Sequence, residues 1–270
     1  MAAALLGAIQ GLTEFLPVSS SAHLILARAF FGWDAGRLGL AFDVAVHAGT
    51  LLAVVVYFRR DLVAMVAAAP AAWRHDTGPD GRLLRLVVLG TVPIVPAGLL
   101  YSERVEEALR TPAVAASMLA VGALALLAVE RLAGRDRDEG SLTLAGALAI
   151  GVAQATALVP GVSRSGATIA VGMWLGMRRD AAARFGFLLG VPAIAAAAAK
   201  EGLALAGAGL DAGAWLLFAI GAAASAVVGY FTVKYFIRFL TGHRLDGFAY
   251  YRLALAAATL AWIVARQPWP

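Results

Sequence analysis

An acid, an imidazole, a guanidinium and a run of hydroxyls stand in two short stretches of a chain that is otherwise apolar. The first stretch is Gln10-Gly-Leu-Thr-Glu-Phe-Leu-Pro-Val-Ser-Ser-Ser-Ala-His23, and the second is Val159-Pro-Gly-Val-Ser-Arg-Ser-Gly-Ala-Thr168. Gln10 and Glu14 are four residues apart and share one face of the helix that enters the first break. Ser20 and His23 share a face if a helix restarts near Ser19, and the proline and serines suit such a restart. Arg164 and Thr168 repeat the four-residue spacing, with Ser163 and Ser165 beside them and Gly161 and Gly166 permitting close backbone approach. Two helix N-termini, the hydroxyls of Ser19, Ser21, Ser163, Ser165 and Thr168, and Arg164 make a cradle for phosphate. Glu14 would repel a bare phosphate, so it is expected to hold a divalent cation that bridges to the ligand, with Gln10 beside it. One carboxylate completed by phosphate oxygens and water suits a hard ion, Mg²⁺ or Ca²⁺, rather than Zn²⁺. His23 adds a proton donor or acceptor near neutral pH. Together these groups suffice for phosphoryl transfer.

Such groups need elements that carry them into an apolar medium. The 270 residues are 61% hydrophobic and 14% charged, with a mean hydropathy of +0.80, which marks an integral membrane protein. The formal charge of +5 is what Arg-rich connections produce, and it gives no reason to expect a nucleic-acid partner. Without cysteine there is no disulfide, thiolate metal site or Cys nucleophile. No basic residue precedes Arg28, and Gln10, Glu14 and Pro17 interrupt the first apolar run, so a cleaved signal peptide is not expected.

Apolar stretches fit to span lie near 40–58, 83–101, 113–130, 185–200, 214–233 and 248–265. Two more, near 3–30 and 141–176, are broken by the Pro/Ser clusters, and a straight span through either would face Glu14 or Arg164 to lipid. A helix–loop–helix that enters and leaves on one side, its tip buried in protein, costs less. Charge bias agrees: five Arg/Lys in 59–85, two in 102–112, three in 131–140 and three in 177–184 place the first, third and fourth connections inside. The segment 141–176 then returns to the side it left. The expected fold is all-α: six transmembrane helices plus two re-entrant hairpins. They form one domain over 1–270, an inverted repeat with halves near 1–131 and 141–270 and the site at their interface. Thr13-Glu-Phe-Leu-Pro17 and Thr156-Ala-Leu-Val-Pro160 carry a faint echo of that repeat.

Taken singly, the serines could satisfy loose backbone, His23 could be a helix–helix hydrogen bonder, and Glu14 could simply pair with Arg164. All of them together in two symmetric breaks favour a working site. Asp43 and His47, four apart in Phe42-Asp-Val-Ala-Val-His-Ala-Gly49, are expected as a polar helix end or as support for the site's side chains. The clustered small residues of Gly221-Ala-Ala-Ala-Ser225 are expected to allow close helix packing. A lipid-phosphate flippase or anion transporter shares this architecture and would grip the same anion without releasing phosphate.

At these residues the chain resembles the undecaprenyl-diphosphatase (bacitracin-resistance protein) family of bacterial membranes. The two stretches match its two signatures, with weaker similarity at Phe42-Asp-Val-Ala-Val-His-Ala-Gly-Thr-Leu51, Gly90-Thr-Val-Pro93, Phe187-Leu-Leu-Gly-Val-Pro192 and Tyr250-Tyr-Arg252. The resemblance implies a multi-pass protein of the bacterial cytoplasmic (inner) membrane that hydrolyses undecaprenyl diphosphate to the monophosphate and phosphate. That reaction recycles the lipid carrier of peptidoglycan synthesis and confers bacitracin resistance, because the antibiotic sequesters the diphosphate. It implies metal binding at Gln10 and Glu14, a nucleophile at Ser20, an essential histidine at His23 and a diphosphate-binding arginine at Arg164. Ser19, Ser21, Ser163, Ser165, Gly166 and Thr168 fall on the substrate pocket. The partners implied are a polyprenyl diphosphate lipid and the bilayer, with a homodimer as the candidate assembly. Many members carry Glu in place of Gln10, and Glu-Phe-Ser-Phe in place of Arg184-Phe-Gly-Phe187.

Overall fold

Proline, serine and glycine decide where this apolar chain stops being helical. A computed structural model describes residues 1–33, 38–74, 77–100, 108–134, 136–206 and 210–266. The first apolar stretch is divided into α1 (Ala2–Thr13) and α2 (Ser20–Phe31). Pro17 lies in the break, and Ser19 caps α2 by accepting the Ala22 backbone N–H. Gly32, in the left-handed region, ends α2. Then come α3 (Leu40–Tyr57), α4 (Arg59–Ala67), α5 (Pro79–Thr91), α6 (Ile94–Leu100) and α7 (Pro112–Leu132). Pro93 and Pro96 bring no N–H to the helix ladder, and the chain kinks between α5 and α6. Thr111 caps α7, whose first residue is the favourable Pro112.

The second interrupted stretch gives α8 (Leu144–Thr156) and α9 (Arg164–Trp174), with Pro160 and Gly161 between them. Ser163 caps α9 through the Gly166 N–H at 3.1 Å. The chain continues as α10 (Arg179–Ala206), α11 (Ala212–Leu240) and α12 (Asp246–Arg266). Asp211 caps α11 through the Ala214 N–H at 2.6 Å. Among the described residues six helices are long and apolar enough to cross a membrane: α3, α5 with α6, α7, the Arg179–Lys200 part of α10, α11 and α12.

Side chains are distributed inside out relative to a water-soluble protein. Val121, Leu124, Leu216, Val227 and Val264 are exposed, while Gln10, Glu14, Asp43, Glu130, Ser225 and Arg252 are buried. Apolar exteriors and polar interiors on helices of this length belong to a multi-pass membrane protein.

Helix α11 lies along α1 and α3, α12 along α7, and α5 along α8, while α9 touches α7, α8 and α10. Close backbone approach holds α1 to α11, as the small residues at 221–225 lead one to expect. A Cβ on Gly11 would stand 2.6 Å from the Ser225 carbonyl oxygen, so any larger residue would push the helices apart.

At one end of the bundle the buried Glu130 carboxylate accepts two Arg179 N–H groups at 2.7 and 2.6 Å and the Leu245 N–H at 2.9 Å. It ties the ends of α7, α10 and α12 together. The charge-poor windows 185–200 and 214–233 underestimate two helices, which begin at Arg179 and run to Leu240. Ion pairing explains the first: Arg179 pairs with Glu130, and Arg184 with Asp61 at 2.5 Å and Glu139 at 3.2 Å.

Candidate active site

The C-terminal end of α1 and the N-terminus of α9 meet, and the meeting point is charged. Glu14 follows the last turn of α1, and its backbone N–H still donates to the Gln10 carbonyl at 2.9 Å. Its carboxylate is therefore carried by a helix end rather than a loose loop. Oε1 accepts the Arg164 Nη2–H at 2.6 Å, across 150 residues of sequence. Oε2 accepts the Gln10 amide N–H at 2.9 Å and the Ser20 hydroxyl at 2.5 Å. Gln10 and Glu14 are buried, whereas Ser20 and Arg164 stay partly open to a ligand.

The two breaks interlock through the remaining serines. Ser19 and Ser163, the two cap residues, both hold a positive φ, 71° and 74°. For a residue with a Cβ this backbone is unfavourable and needs local hydrogen bonding to persist. Ser19 shares a hydrogen bond with Ser21 at 3.2 Å, and Ser163 shares one with Ser165 at 3.2 Å. Across the gap, Ser21 Oγ accepts the Gly161 N–H at 3.4 Å, and Ser165 Oγ donates to the Leu16 carbonyl at 2.9 Å. Thr168 is buried and its hydroxyl donates to the Arg164 carbonyl one turn back at 2.9 Å. The expected close approach at Gly166 is taken by protein: a Cβ there would stand 3.0 Å from Arg252 Nη1 and 3.1 Å from Ser163 Oγ.

His23 projects from α2 and is held at both nitrogens. Nδ1–H donates to the Ser19 carbonyl at 2.7 Å, which leaves Nε2 to accept the Tyr251 phenol at 2.7 Å. The two rings also stack, with centroids 5.6 Å apart. No hydrogen bond joins Ser20 to His23 among the described residues; Ser20 is paired with Glu14 instead. Tyr251→Phe removes the phenol without changing ring packing. It is expected to lower turnover several-fold, the worth of about 1 kcal/mol, with KM unchanged. Steady-state kinetics of the purified variant in detergent check this.

Two contributors were not singled out from sequence, and a third was expected only as a polar helix end or as support. Tyr251 steadies His23, and Arg252 donates to carbonyls of both breaks, Pro17 on one side and Gly161 and Val162 on the other, each at 3.1 Å. An arginine inside an apolar span, with no acid three or four residues away, is the signal that marks position 252. The third is His47, whose Nε2 lies 3.7 Å from Glu14 Oε2. It belongs to the site itself, while its neighbour Asp43 is buried in ion pairs with Arg28 and Arg110. Arg184 takes part in the pairs with Asp61 and Glu139 rather than in this cluster.

A divalent cation fits the donors present. Gln10 Oε1 is buried and has no hydrogen-bond partner, an unmet acceptor next to a carboxylate. Among the described residues no three His, Cys, Asp or Glu side chains gather to chelate a metal. The donor set is that of an ion that shares its coordination with substrate oxygens and water. With Arg164 opposite, the cluster can grip a phosphate while keeping a hydroxyl and an imidazole within reach of it.

The chain is similar to known proteins over nearly its whole length. The family described as Bacitracin resistance protein BacA matches residues 3–258. The chain is 48% identical over 265 residues to the undecaprenyl-diphosphatase of Rubrobacter xylanophilus, covering 97% of each chain. It is 46% identical over 263 residues to the Alcanivorax borkumensis undecaprenyl-diphosphatase, covering 97% of this chain and 98% of that one. With the Geobacter sulfurreducens undecaprenyl-diphosphatase it shares 43% identity over 268 residues, 98% of this chain and 99% of that one. A match that takes in both breaks and nearly every helix between them shows that the chain belongs to the BacA bacitracin resistance family.

Proposed function

We infer that this protein is an undecaprenyl-diphosphate phosphatase of the bacterial inner membrane, releasing inorganic phosphate and returning undecaprenyl phosphate to cell-wall synthesis. Its relatives carry the name undecaprenyl-diphosphatase along their whole length. The observation that carries the reading in this chain is the Glu14–Arg164 contact at 2.6 Å, with Ser20 on the same carboxylate at 2.5 Å.

In this reading α1–α2 and α8–α9 are re-entrant hairpins of an inverted repeat, their tips meeting at the site. The matching φ and cap at Ser19 and Ser163 support it, as does the packing of α1 on α11 and of α8 on α5. Arg164 releases Glu14 and forks onto the terminal phosphate. Gln10 and Glu14 would hold a divalent cation, which supplies charge stabilisation to the phosphate oxygens. Ser20 Oγ attacks the terminal phosphorus and passes its proton to Glu14, and the bridging P–O bond breaks to free undecaprenyl phosphate. Water then attacks the phosphoserine and gives its proton to His23 Nε2. The Oγ–P bond breaks, Glu14 returns its proton to Ser20, phosphate leaves, and His23 releases the proton taken from water to the solvent.

The test is phosphate release from undecaprenyl diphosphate by detergent-purified protein, with and without chelator. Stoichiometric formation of undecaprenyl phosphate, lost on chelation and restored by divalent cation, is expected. A protein that binds the lipid and releases no phosphate would be a carrier, and the reading would fall.

A further inference from the structure

Glu14 faces one more group whose geometry is that of a ligand. His47, on α3, places Nε2 3.7 Å from Glu14 Oε2. Its other nitrogen lies 2.7 Å from the Asp43 carbonyl oxygen. A carbonyl only accepts, so Nδ1 carries a proton, and in the neutral tautomer that this contact selects the Nε2 lone pair faces the carboxylate. A backbone carbonyl that fixes the tautomer in this way is the usual support of a metal-binding imidazole. The support is itself anchored, because the Asp43 side chain is clamped by Arg28 from α2 and by Arg110. From α1, Gln10 Oε1 is buried without a hydrogen-bond partner, while the same amide donates its N–H to Glu14 Oε2 at 2.9 Å. Bonds of roughly 2.0–2.2 Å to nitrogen and oxygen add up to more than the 3.7 Å gap, so one ion can touch both atoms without backbone movement.

We propose that His47 Nε2 is a third protein donor to the divalent-cation site, beside Glu14 and Gln10 Oε1. The resulting N,O,O set makes the site favour Mn²⁺ and other first-row transition ions over Mg²⁺ and Ca²⁺. Imidazole suits transition ions, whereas Mg²⁺ and Ca²⁺ are bound through oxygen. This inference rests on the cation-assisted reading above.

The test uses full-length protein in detergent, freed of any affinity-tag histidines and loaded with Mn²⁺. Pulsed electron paramagnetic resonance reads a coordinated imidazole as nitrogen modulation of the Mn²⁺ signal. Modulation is expected in the wild-type protein, lost in His47→Gln and kept in His23→Gln, whose ring faces Tyr251. By equilibrium dialysis His47→Gln is expected to weaken Mn²⁺ binding about 10-fold or more, and Mg²⁺ binding by far less. Absence of modulation in the wild type, its persistence in His47→Gln, or equal weakening for both ions overturns the assignment. Phosphate release that survives chelation would instead overturn the cation reading beneath it, and the two failures are distinct.

Discussion

Arg164→Ala is expected to lower phosphate release on the order of 10³-fold or more, the usual worth of an arginine that neutralises a transferring phosphoryl group. Arg164→Lys is expected to recover little of this. An ammonium is a point charge and cannot fork across two oxygens. Glu14→Gln tests the other end of the same contact. The amide keeps an oxygen for the Ser20 hydroxyl now held at 2.5 Å but removes the charge that would hold a cation. Its loss is expected to match that of Arg164→Ala in size. The double variant is expected to lose little more than either single one, because both substitutions disable one unit. Thermal unfolding of the same preparations separates chemistry from folding. Removing one partner of a buried pair leaves the other charge uncompensated and costs some stability as well. Full activity in a folded Arg164→Ala or Glu14→Gln protein would detach this pair from catalysis.

What sequence reveals of this site depends on how local each signal is. Pro17 and Pro160 break apolar runs, and the hydroxyls and charges follow within a few residues, so both breaks and the four-residue spacing of Gln10 and Glu14 are legible. That these breaks meet is a long-range fact. Ser165 on the Leu16 carbonyl and Arg164 on Glu14 join points about 150 residues apart, which no periodicity encodes. Tyr251 reaches His23 from the last helix, so an interfacial tyrosine and a residue that orients an imidazole look the same in a hydropathy profile. His47 was readable as a polar residue in a span, but only the packing of α1 and α3 side by side turns it toward Glu14. The helix ends at Arg179 and Leu240 were missed for a related reason. Charge lowers the hydropathy of the terminal turns, whereas Glu130 satisfies the Arg179 side chain and lets the helix begin there.

The largest structural effect is expected at Arg252. Its side chain is fully buried, and all five of its hydrogen bonds end on backbone carbonyls: Leu119 and Met118 of α7, Pro17 of the first break, Gly161 and Val162 of the second, each at 3.1 Å. Chain breaks expose backbone acceptors that a helix would have satisfied, and in an apolar medium each costs free energy unless paired. One planar guanidinium settles three of them, bonds two carbonyls of α7 as well, and so holds the two breaks at a fixed separation. Arg252→Met has similar reach and no donor. It is expected to cost about 3–5 kcal/mol, the range for removing one side of a buried charged network. At roughly 2–4 °C per kcal/mol the melting temperature should fall on the order of 10 °C. Phosphate release should fall too, since the Glu14–Arg164 contact depends on the registry of the same two breaks. Arg252→Lys keeps the charge but has a single nitrogen, so it cannot reach carbonyls on three sides at once, and an intermediate melting temperature is expected. An Arg252→Met protein that melts with the wild type and retains its turnover would mean that the breaks hold their registry without the guanidinium.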